Sequence, residues 1–234
     1  MTIHHLNCGI LQAPGGPPAA CHCLLVEYGS RVVLIDTGVG ARERVPGQPR
    51  EEAGFQFHER LRAVHQVPEL SDIVLTHGDP DHAGGLADFP NVPVHVSQEE
   101  LAAVQAGGER YAPDQFYHQP HWRPHGRSSQ RWFGLEARPL LPEVPIYLIP
   151  LFGHTLGHCG VAVQQGERWL LHVGDAYYLR AELNDEHHPV DLLASRNAVD
   201  DALRRQSLAQ LRRLAARHPE VAMMGYHDFS EFPN

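Results

Sequence analysis

The chain has 234 residues, a formal net charge of -9 and no long run of basic residues. This length suits one large domain over residues 1–234. The negative charge argues against nucleic acid as a partner, because phosphate binding needs clustered basic side chains. The N-terminus does not read as a signal peptide, and no stretch approaches the roughly eighteen apolar residues of a membrane span. We therefore expect a cytoplasmic protein with no membrane partner.

The first residues predict β-structure. A strand over Leu6–Leu11 and a Pro/Gly-rich loop over Ala13–Pro18 precede a hairpin that turns at Gly29-Ser30 between Cys21–Tyr28 and Arg31–Asp36. A polar loop over residues 41–54 and a helix follow, and the helix is indicated by the spacing of Phe57, Leu61 and Val64.

The cysteines are expected to be unpaired. Cys21 and Cys23 fall on one face of an alternating strand, where they act as small hydrophobes rather than as a metal or redox site. Cys8 and Cys159 complete the set. An α/β protein of 26.1 kDa without a signal peptide has little need of disulfide bonds.

The rest of the chain alternates strands and helices. Predicted strands cover Ile73–Thr76, Val92–Val96, Ile146–Ile149, Cys159–Gln164, Trp169–Val173 and Val221–Met224. Ser97 and Glu100 form a capping box that opens a helix over Glu99–Ala106. A long helix over Ala198–Arg217 carries an apolar stripe of Leu203, Leu208, Leu211 and Leu214.

Residues 107–138 differ from their surroundings, with little periodicity and many aromatic residues, prolines and histidines. A segment of this kind inside a compact domain is usually functional. The aromatic residues favour a functional role for this segment. Its His118, His121 and His125 are expected to line a pocket or the surface rather than to bind a metal.

The stretch Thr76–His82 holds four candidate metal ligands in six residues: His77, Asp79, Asp81 and His82. It follows a predicted strand, so a tight loop can aim two imidazoles and two carboxylates at one point. A divalent cation would compensate both carboxylates. The alternative is a polar turn whose aspartates cap a helix, but four such residues together favour the metal site.

Five ordered elements resemble one known family. Thr76–His82 resembles the HxHxDH signature of the metallo-β-lactamase superfamily, with Asp79 at the position of the second histidine. Gly153–His158 resembles its GHTxGH element, Gly174-Asp175 its bridging carboxylate, and His227-Asp228 its C-terminal histidine. Val33–Gly38 resembles the strand and turn that brace the metal loop. The resemblance spans nearly the whole chain and implies an αββα sandwich, with ligands on loops along one edge. It also implies that residues 107–138 are an insertion that forms a lid over the substrate pocket, and a dimer contact is the alternative.

This resemblance implies a dinuclear metal site. His77, Asp79 and His154 would hold the first cation, whereas Asp81, His82 and His227 would hold the second. Asp175 would bridge the two cations, which would share a hydroxide as the nucleophile. The family's metal is zinc, but the carboxylate of Asp79 favours oxygen-preferring ions such as iron or manganese. Alternatively, Asp79 does not ligate, and the first cation is weakly bound or absent.

Two residues are assigned to catalysis, Asp81 and Tyr178. Tyr178 stands three residues after Asp175, a spacing similar to that of the acyl-homoserine-lactone lactonases, where the tyrosine stabilises the oxyanion. Tyr177 is the alternative for this role, and a tyrosine packed in the core is the other. His158 and His172 are expected to support the site or the core rather than to ligate.

The predicted function is hydrolysis of an ester-type bond in a small molecule, with lactones preferred. The same fold also hosts thioester hydrolases, phosphodiesterases and sulfur dioxygenases, which remain alternatives. A non-catalytic metal-binding scaffold is a further alternative, and a homodimer is possible.

Overall fold

Two large β-sheets form the centre of the computed structural model, which describes residues 1–12, 17–40, 69–111 and 115–233. The first sheet contains β1 (Thr2–Gln12), β2 (Pro18–Tyr28), β3 (Arg31–Ile35), β4 (Asp72–Val74), β5 (Pro93–Ser97) and β6 (His121–His125), in this order. A separate small hairpin consists of β7 (Arg131–Trp132) and β8 (Leu135–Glu136). The second sheet contains β9 (Arg138–Leu141), β10 (Val144–Pro150), β11 (Cys159–Gln165), β12 (Arg168–His172) and β13 (Val221–Met224).

Both sheets are mixed. Strands β1, β2 and β3 pair antiparallel, whereas β3 to β6 pair parallel to one another. In the second sheet, β9 to β12 pair antiparallel and β13 joins β12 in parallel. Parallel neighbours bring the loops that follow them to the same edge of a sheet.

Four α-helices lie in the described residues: α1 (Pro80–Ala83), α2 (Gln98–Ala106), α3 (Asp191–Asn197) and α4 (Asp201–Arg217). Short 3-10 turns cover Gly84–Asp88, Arg180–Leu183 and Phe229–Glu231. Within the described residues, no helix is both long enough and apolar enough to cross a membrane.

Three apolar clusters separate four layers. One cluster lies between the sheets and joins residues such as Val26 and Val33 to Leu148 and Val161. A second covers the outer face of the first sheet, where Leu86 and Leu101 pack on strand residues. The third packs α4 on the outer face of the second sheet. Because each sheet is buried on both faces, the arrangement is the expected αββα sandwich, and this prediction is confirmed.

Many predicted elements are confirmed, including the hairpin at Gly29-Ser30, where Tyr28 pairs with Arg31. All four cysteines are free, as predicted, and all four are buried. Cys21 and Cys23 share the outer cluster of the first sheet as small hydrophobes. The predicted loop over residues 41–54 and the helix at Phe57, Leu61 and Val64 lie outside the described residues.

The predicted long helix Ala198–Arg217 is wrong at its start. The backbone of Ala198 is extended, with ψ of 139°, and it ends α3. The side chain of Asp200 then caps α4 by accepting a hydrogen bond from the Leu203 backbone N–H at 3.0 Å. Leu203 is 36% exposed, so only Leu208, Leu211 and Leu214 of the predicted stripe are buried. The cap residue is a stronger start signal here than the apolar spacing.

Where residues 107–138 are described, they contain regular structure that the sequence did not predict. Strand β6 extends the first sheet by pairing with β5, and β7 pairs with β8. The only apolar residues of β6 are Trp122 and Pro124, and a proline argues against a strand, so the sequence of this segment does not predict one. The assignment of this segment to a lid or a dimer contact stays a prediction.

We expect Leu211→Ala to lower the free energy of unfolding by about 2–5 kcal/mol, because it opens a cavity between α4 and the second sheet. The matched control is Leu203→Ala in the same helix, which should cost well under about 2 kcal/mol because that side chain is partly exposed. Urea unfolding followed by circular dichroism measures both. Equal losses would contradict the burial pattern described for α4.

Candidate metal centre

The candidate ligands lie on four segments that each follow a strand. The metal loop, Thr76–His82, follows β4, and its last residues, Asp81 and His82, lie in α1. The loop after β10 carries His154. Asp175 follows β12, and His227 follows β13. Strands β10, β12 and β13 run in the same direction through the second sheet, so the segments that follow them reach the same edge of the sandwich. The ligand-bearing segment after β4 meets them there.

All seven predicted ligands come together there. The potential ligand atoms form three groups, in each of which every atom lies within 4.8 Å of the others. The groups are His77, Asp79 and His154; Asp81, His82 and His227; and His77, His82 and Asp175. The third group links the other two, and it does so through the residue expected to bridge two cations.

The distances within the cluster suit a cation. Asp79 Oδ2 lies 3.2 Å from His77 Nε2 and 3.1 Å from His154 Nε2. Asp175 lies 3.1 Å from His82 Nε2 and 3.2 Å from His227 Nε2 through its two oxygens. Tetrahedral coordination with bonds of about 2.0–2.2 Å separates neighbouring ligand atoms by about 3.3–3.6 Å. The observed spacings are close to this range.

Several buried ligand atoms also lack a hydrogen-bond partner. His77 Nε2, His82 Nε2 and Asp175 Oδ1 are buried and unsatisfied within the described part of the chain. Burying an unpaired polar atom is costly, so these atoms need a further partner. A divalent cation is the partner that two imidazole nitrogens and a carboxylate oxygen share. The residues therefore fit the metal that the motif implies.

The histidines are held with Nε2 turned into the cluster. His82 Nδ1 donates to Asp36 Oδ2 at 2.8 Å, and His227 Nδ1 donates to the carbonyl oxygen of Ala20 at 2.9 Å. Such a contact fixes the ring and leaves the other nitrogen free to ligate. Asp36 also accepts hydrogen bonds from the backbone N–H and the hydroxyl of Thr76, both at 2.8 Å. The turn after β3 therefore braces the metal loop, as predicted.

Charges within the cluster compensate one another. Burial alone would lower the pKa of His82, but the carboxylates of Asp175 and Asp81 outweigh it and raise that pKa well above its ordinary value. Burial alone would raise the pKa of Asp175, yet His227 and His82 hold it well below the ordinary range. Positive charge on the imidazoles thus compensates part of the negative charge of the carboxylates, as a bound cation would.

Arg110 contacts the candidate ligands, although no sequence motif includes it. Its guanidinium holds Asp79 with two parallel hydrogen bonds, Nε to Oδ1 at 2.7 Å and Nη2 to Oδ2 at 2.6 Å. Nη2 also lies 2.8 Å from His154 Nε2. Burial would raise the pKa of Asp79, but nearby positive charge, from His77 first and also from Arg110, holds it well below its usual range. Arg110 lies outside every motif, so only the fold reveals it.

Glu100 ties two metal-bearing loops together. The Ser97 hydroxyl accepts the Glu100 backbone N–H at 3.0 Å, which is the predicted half of the capping box. The Glu100 carboxylate turns instead toward the site and accepts four hydrogen bonds. Its donors are the Gly78 N–H at 2.8 Å, the Tyr111 hydroxyl at 2.9 Å, the Thr155 hydroxyl at 2.5 Å and the Gly157 N–H at 3.1 Å. This buried carboxylate joins the His77 loop to the His154 loop.

His158 and His172 are supports, consistent with the prediction for both. His158 Nδ1 donates to the Leu151 carbonyl at 2.9 Å, and its Nε2 accepts the Asp175 backbone N–H at 2.9 Å. Burial holds the pKa of His158 well below its ordinary value, which suits these neutral-ring contacts. His172 donates to the His22 carbonyl at 2.8 Å inside the core.

The two tyrosines after Asp175 point to different places. The Tyr178 ring lies 6.0 Å from the His154 ring and 5.3 Å from the His227 ring, between centroids. Its hydroxyl accepts a hydrogen bond from Asn197 Nδ2 at 3.2 Å. The Tyr177 hydroxyl donates to Glu231 at 2.9 Å, and its ring packs in the cluster below α4. Tyr178 is therefore the tyrosine next to the candidate ligands.

Comparisons with known proteins agree with this geometry. The sequence profile of the metallo-β-lactamase superfamily matches residues 16–225. A protein named "probable metallo-hydrolase" from Mycobacterium tuberculosis is 36% identical over 250 aligned positions, which cover 97% of this chain and 80% of that protein.

Solved structures share the fold at low identity. An N-acyl homoserine lactone hydrolase with the product N-hexanoyl-L-homoserine at its catalytic metal centre has a TM-score of 0.74 and 19% identity. That match covers 98% of this chain and 93% of the other. AidC, a dizinc quorum-quenching lactonase, has a TM-score of 0.64 and 22% identity, with 90% and 73% covered.

Fold, ligand cluster and relatives together define a metal-dependent hydrolase. The chain belongs to the metallo-β-lactamase superfamily, as the resemblance of its motifs predicted.

We expect divalent cations to stabilise the chelator-treated protein, because a ligand that binds only the folded state raises its stability. At a concentration 100 times the Kd, the gain is about 2.7 kcal/mol. Thermal unfolding with zinc, manganese or iron(II) measures it. His77→Ala should weaken the gain, whereas His187→Ala, at an exposed histidine outside the cluster, should keep it. No gain with any of the three ions would contradict the site.

Glu100→Gln should lower the free energy of unfolding by about 1–3 kcal/mol, because an amide nitrogen would face donors that need an acceptor. Glu109→Gln is the matched control, since Glu109 is exposed. Chemical denaturation measures both variants. If the two variants were equally stable, the Glu100 carboxylate would not be joining the loops.

Proposed function

We propose that the chain is a dinuclear metal-dependent hydrolase that opens an ester-type bond, with lactones as preferred substrates. The observation that carries this proposal is the convergence of two His/Asp triplets on Asp175, beside the phenol of Tyr178. Two structural neighbours are lactone hydrolases, and one of them is a dizinc enzyme, which supports this choice within the fold.

In this proposal His77, Asp79 and His154 hold one cation, and Asp81, His82 and His227 hold the other, with Asp175 shared. When bound, the two cations would supply a water that ionises near neutral pH and positive charge for the developing oxyanion. Zinc, iron and manganese are the candidate ions, because the added carboxylate of Asp79 suits oxygen-preferring metals.

Tyr178 would donate a hydrogen bond from its hydroxyl group to the carbonyl oxygen as negative charge develops there. Asn197 Nδ2 donates to the phenol oxygen, so the phenol proton stays available for the substrate. Burial, with the charge of Asp175 added, raises the pKa of Tyr178 far above its ordinary value. The phenol is therefore protonated throughout the working pH range and acts as a neutral donor.

Asp81 would carry a proton during the reaction. Its side chain is 16% exposed, whereas that of Asp175 is 4% exposed, so Asp81 is the more accessible carboxylate of its half-site. In the proposed step, the oxygen of water forms a bond to the carbonyl carbon and gives its proton to Asp81. The ester C–O bond then breaks, and the leaving oxygen takes that proton.

A substrate panel tests the proposal. Wild-type protein loaded with zinc, manganese or iron is assayed on acyl-homoserine lactones, aryl esters, thioesters, phosphodiesters and nitrocefin, and oxygen uptake is followed with a persulfide. We expect the highest kcat/KM with a lactone. Activity confined to phosphodiesters, thioesters or oxygen uptake would replace the proposed reaction, and inactivity with every metal would favour a metal-binding scaffold.

Tyr178→Phe should lower kcat for lactone hydrolysis by about 100-fold, with a smaller change in KM, because it removes one oxyanion donor. Tyr177→Phe is the matched control: its hydroxyl contacts Glu231 away from the ligands, so kcat should be kept. Steady-state kinetics on both variants measures the difference. A loss in Tyr177→Phe alone would reverse the assignment of the two tyrosines.

A further inference from the structure

The guanidinium of Arg110 uses atoms that a cation in the first position would need. Nη2 contacts Asp79 Oδ2 at 2.6 Å and His154 Nε2 at 2.8 Å. These two atoms lie 3.1 Å apart and belong to the triplet completed by His77. A structural ion pair would need only the carboxylate, whereas this guanidinium also reaches the imidazole nitrogen.

A divalent cation and this guanidinium exclude each other at these atoms. An imidazole nitrogen has one lone pair, so His154 Nε2 cannot accept from Arg110 and ligate a cation at once. The positive charges also repel when they approach the same buried carboxylate. Arg110 therefore has to give up its contact with His154 before the first position can fill.

The second position has no such competitor. Asp81, His82 and His227 form its triplet. Among the hydrogen bonds of the described residues, no arginine donates to any of these three side chains. The asymmetry follows from Asp79, because a histidine at that position would offer no carboxylate for the guanidinium to grip with two hydrogen bonds.

Arg110 has a contact that can hold it after it turns away. Its Nη1 donates to the Asn197 carbonyl at 2.6 Å, at the end of α3, and its side chain is 25% exposed. Asn197 also contacts the Tyr178 hydroxyl. Movement of Arg110 could therefore shift Asn197, which contacts Tyr178 beside the proposed oxyanion position.

We propose that Arg110 gates the first metal position, so that the chain binds one cation tightly at the second position and another more weakly at the first. This inference rests on the proposed dinuclear function and adds an order of filling to it. The Asp79–Arg110 pair makes the first cation exchangeable, and occupancy of that position depends on metal concentration.

The test measures metal binding rather than catalysis. Metal-free wild type, Arg110→Gln and the control Arg131→Gln, at an exposed arginine of β7, are titrated with zinc by calorimetry against a competing chelator. Bound zinc per chain is checked by plasma emission after gel filtration. Circular dichroism verifies folding, and Arg110→Met replaces the glutamine variant if that one does not fold.

We expect two unequal affinities in the wild type and in Arg131→Gln. In Arg110→Gln the weaker affinity should rise about tenfold or more while the tighter one stays unchanged, which assigns the weaker site to the Arg110 side. Equal affinities in the wild type, or an affinity ratio that Arg110→Gln leaves unchanged or widens, would overturn the gate. Failure of the proposed hydrolysis is distinct, because it would show as inactivity of fully loaded wild type in the substrate panel.

Discussion

The geometry of the metal centre depends on the hydrogen bonds of one buried carboxylate, that of Asp36. It holds both ends of the loop after β4, through the backbone and hydroxyl of Thr76 at one end and the imidazole of His82 at the other. Asp36 adopts a left-handed backbone conformation, with φ of 55°, that aspartate tolerates better than most residues. From this position one side chain sets the path of the loop and the tautomer of a ligand.

Glu100 also fixes the metal loop, through the backbone N–H of Gly78. Its carboxylate accepts hydrogen bonds from groups in the His77 loop and the His154 loop and from Tyr111. Gly157 makes this possible, since a Cβ there would lie 2.0 Å from the Glu100 backbone nitrogen. The two buried carboxylates thus tie the ligand-bearing loops together, whereas Arg110 contacts two of the ligands themselves, Asp79 and His154.

The sequence predicts features that depend on short-range patterns, but it does not predict contacts between residues that are distant in the chain. Strand hairpins, the free cysteines and the bracing role of Asp36 follow from short-range patterns or from motif order. Arg110 lies 31 residues from its partner Asp79 in the chain, and no sequence motif around Arg110 predicts their contact. For Glu100, the sequence predicts a capping role at the start of a helix. The hydrogen bonds of its carboxylate to the two metal-bearing loops follow only from the fold. Apolar spacing predicts a helix that begins at Ala198, but α4 begins at Asp201 because Asp200 caps it.

The outer edge of the first sheet has a consequence for how copies of the chain can meet. Among the described strands, β6 is the last of that sheet, and Pro124 within it has no N–H to offer a neighbour. His121, Arg123 and Pro124 are exposed, and charge and proline on such an edge oppose the continuation of a sheet from one molecule into the next. Self-association through shared backbone ladders is thus discouraged at this boundary, and any partner there would have to be recognised by side chains.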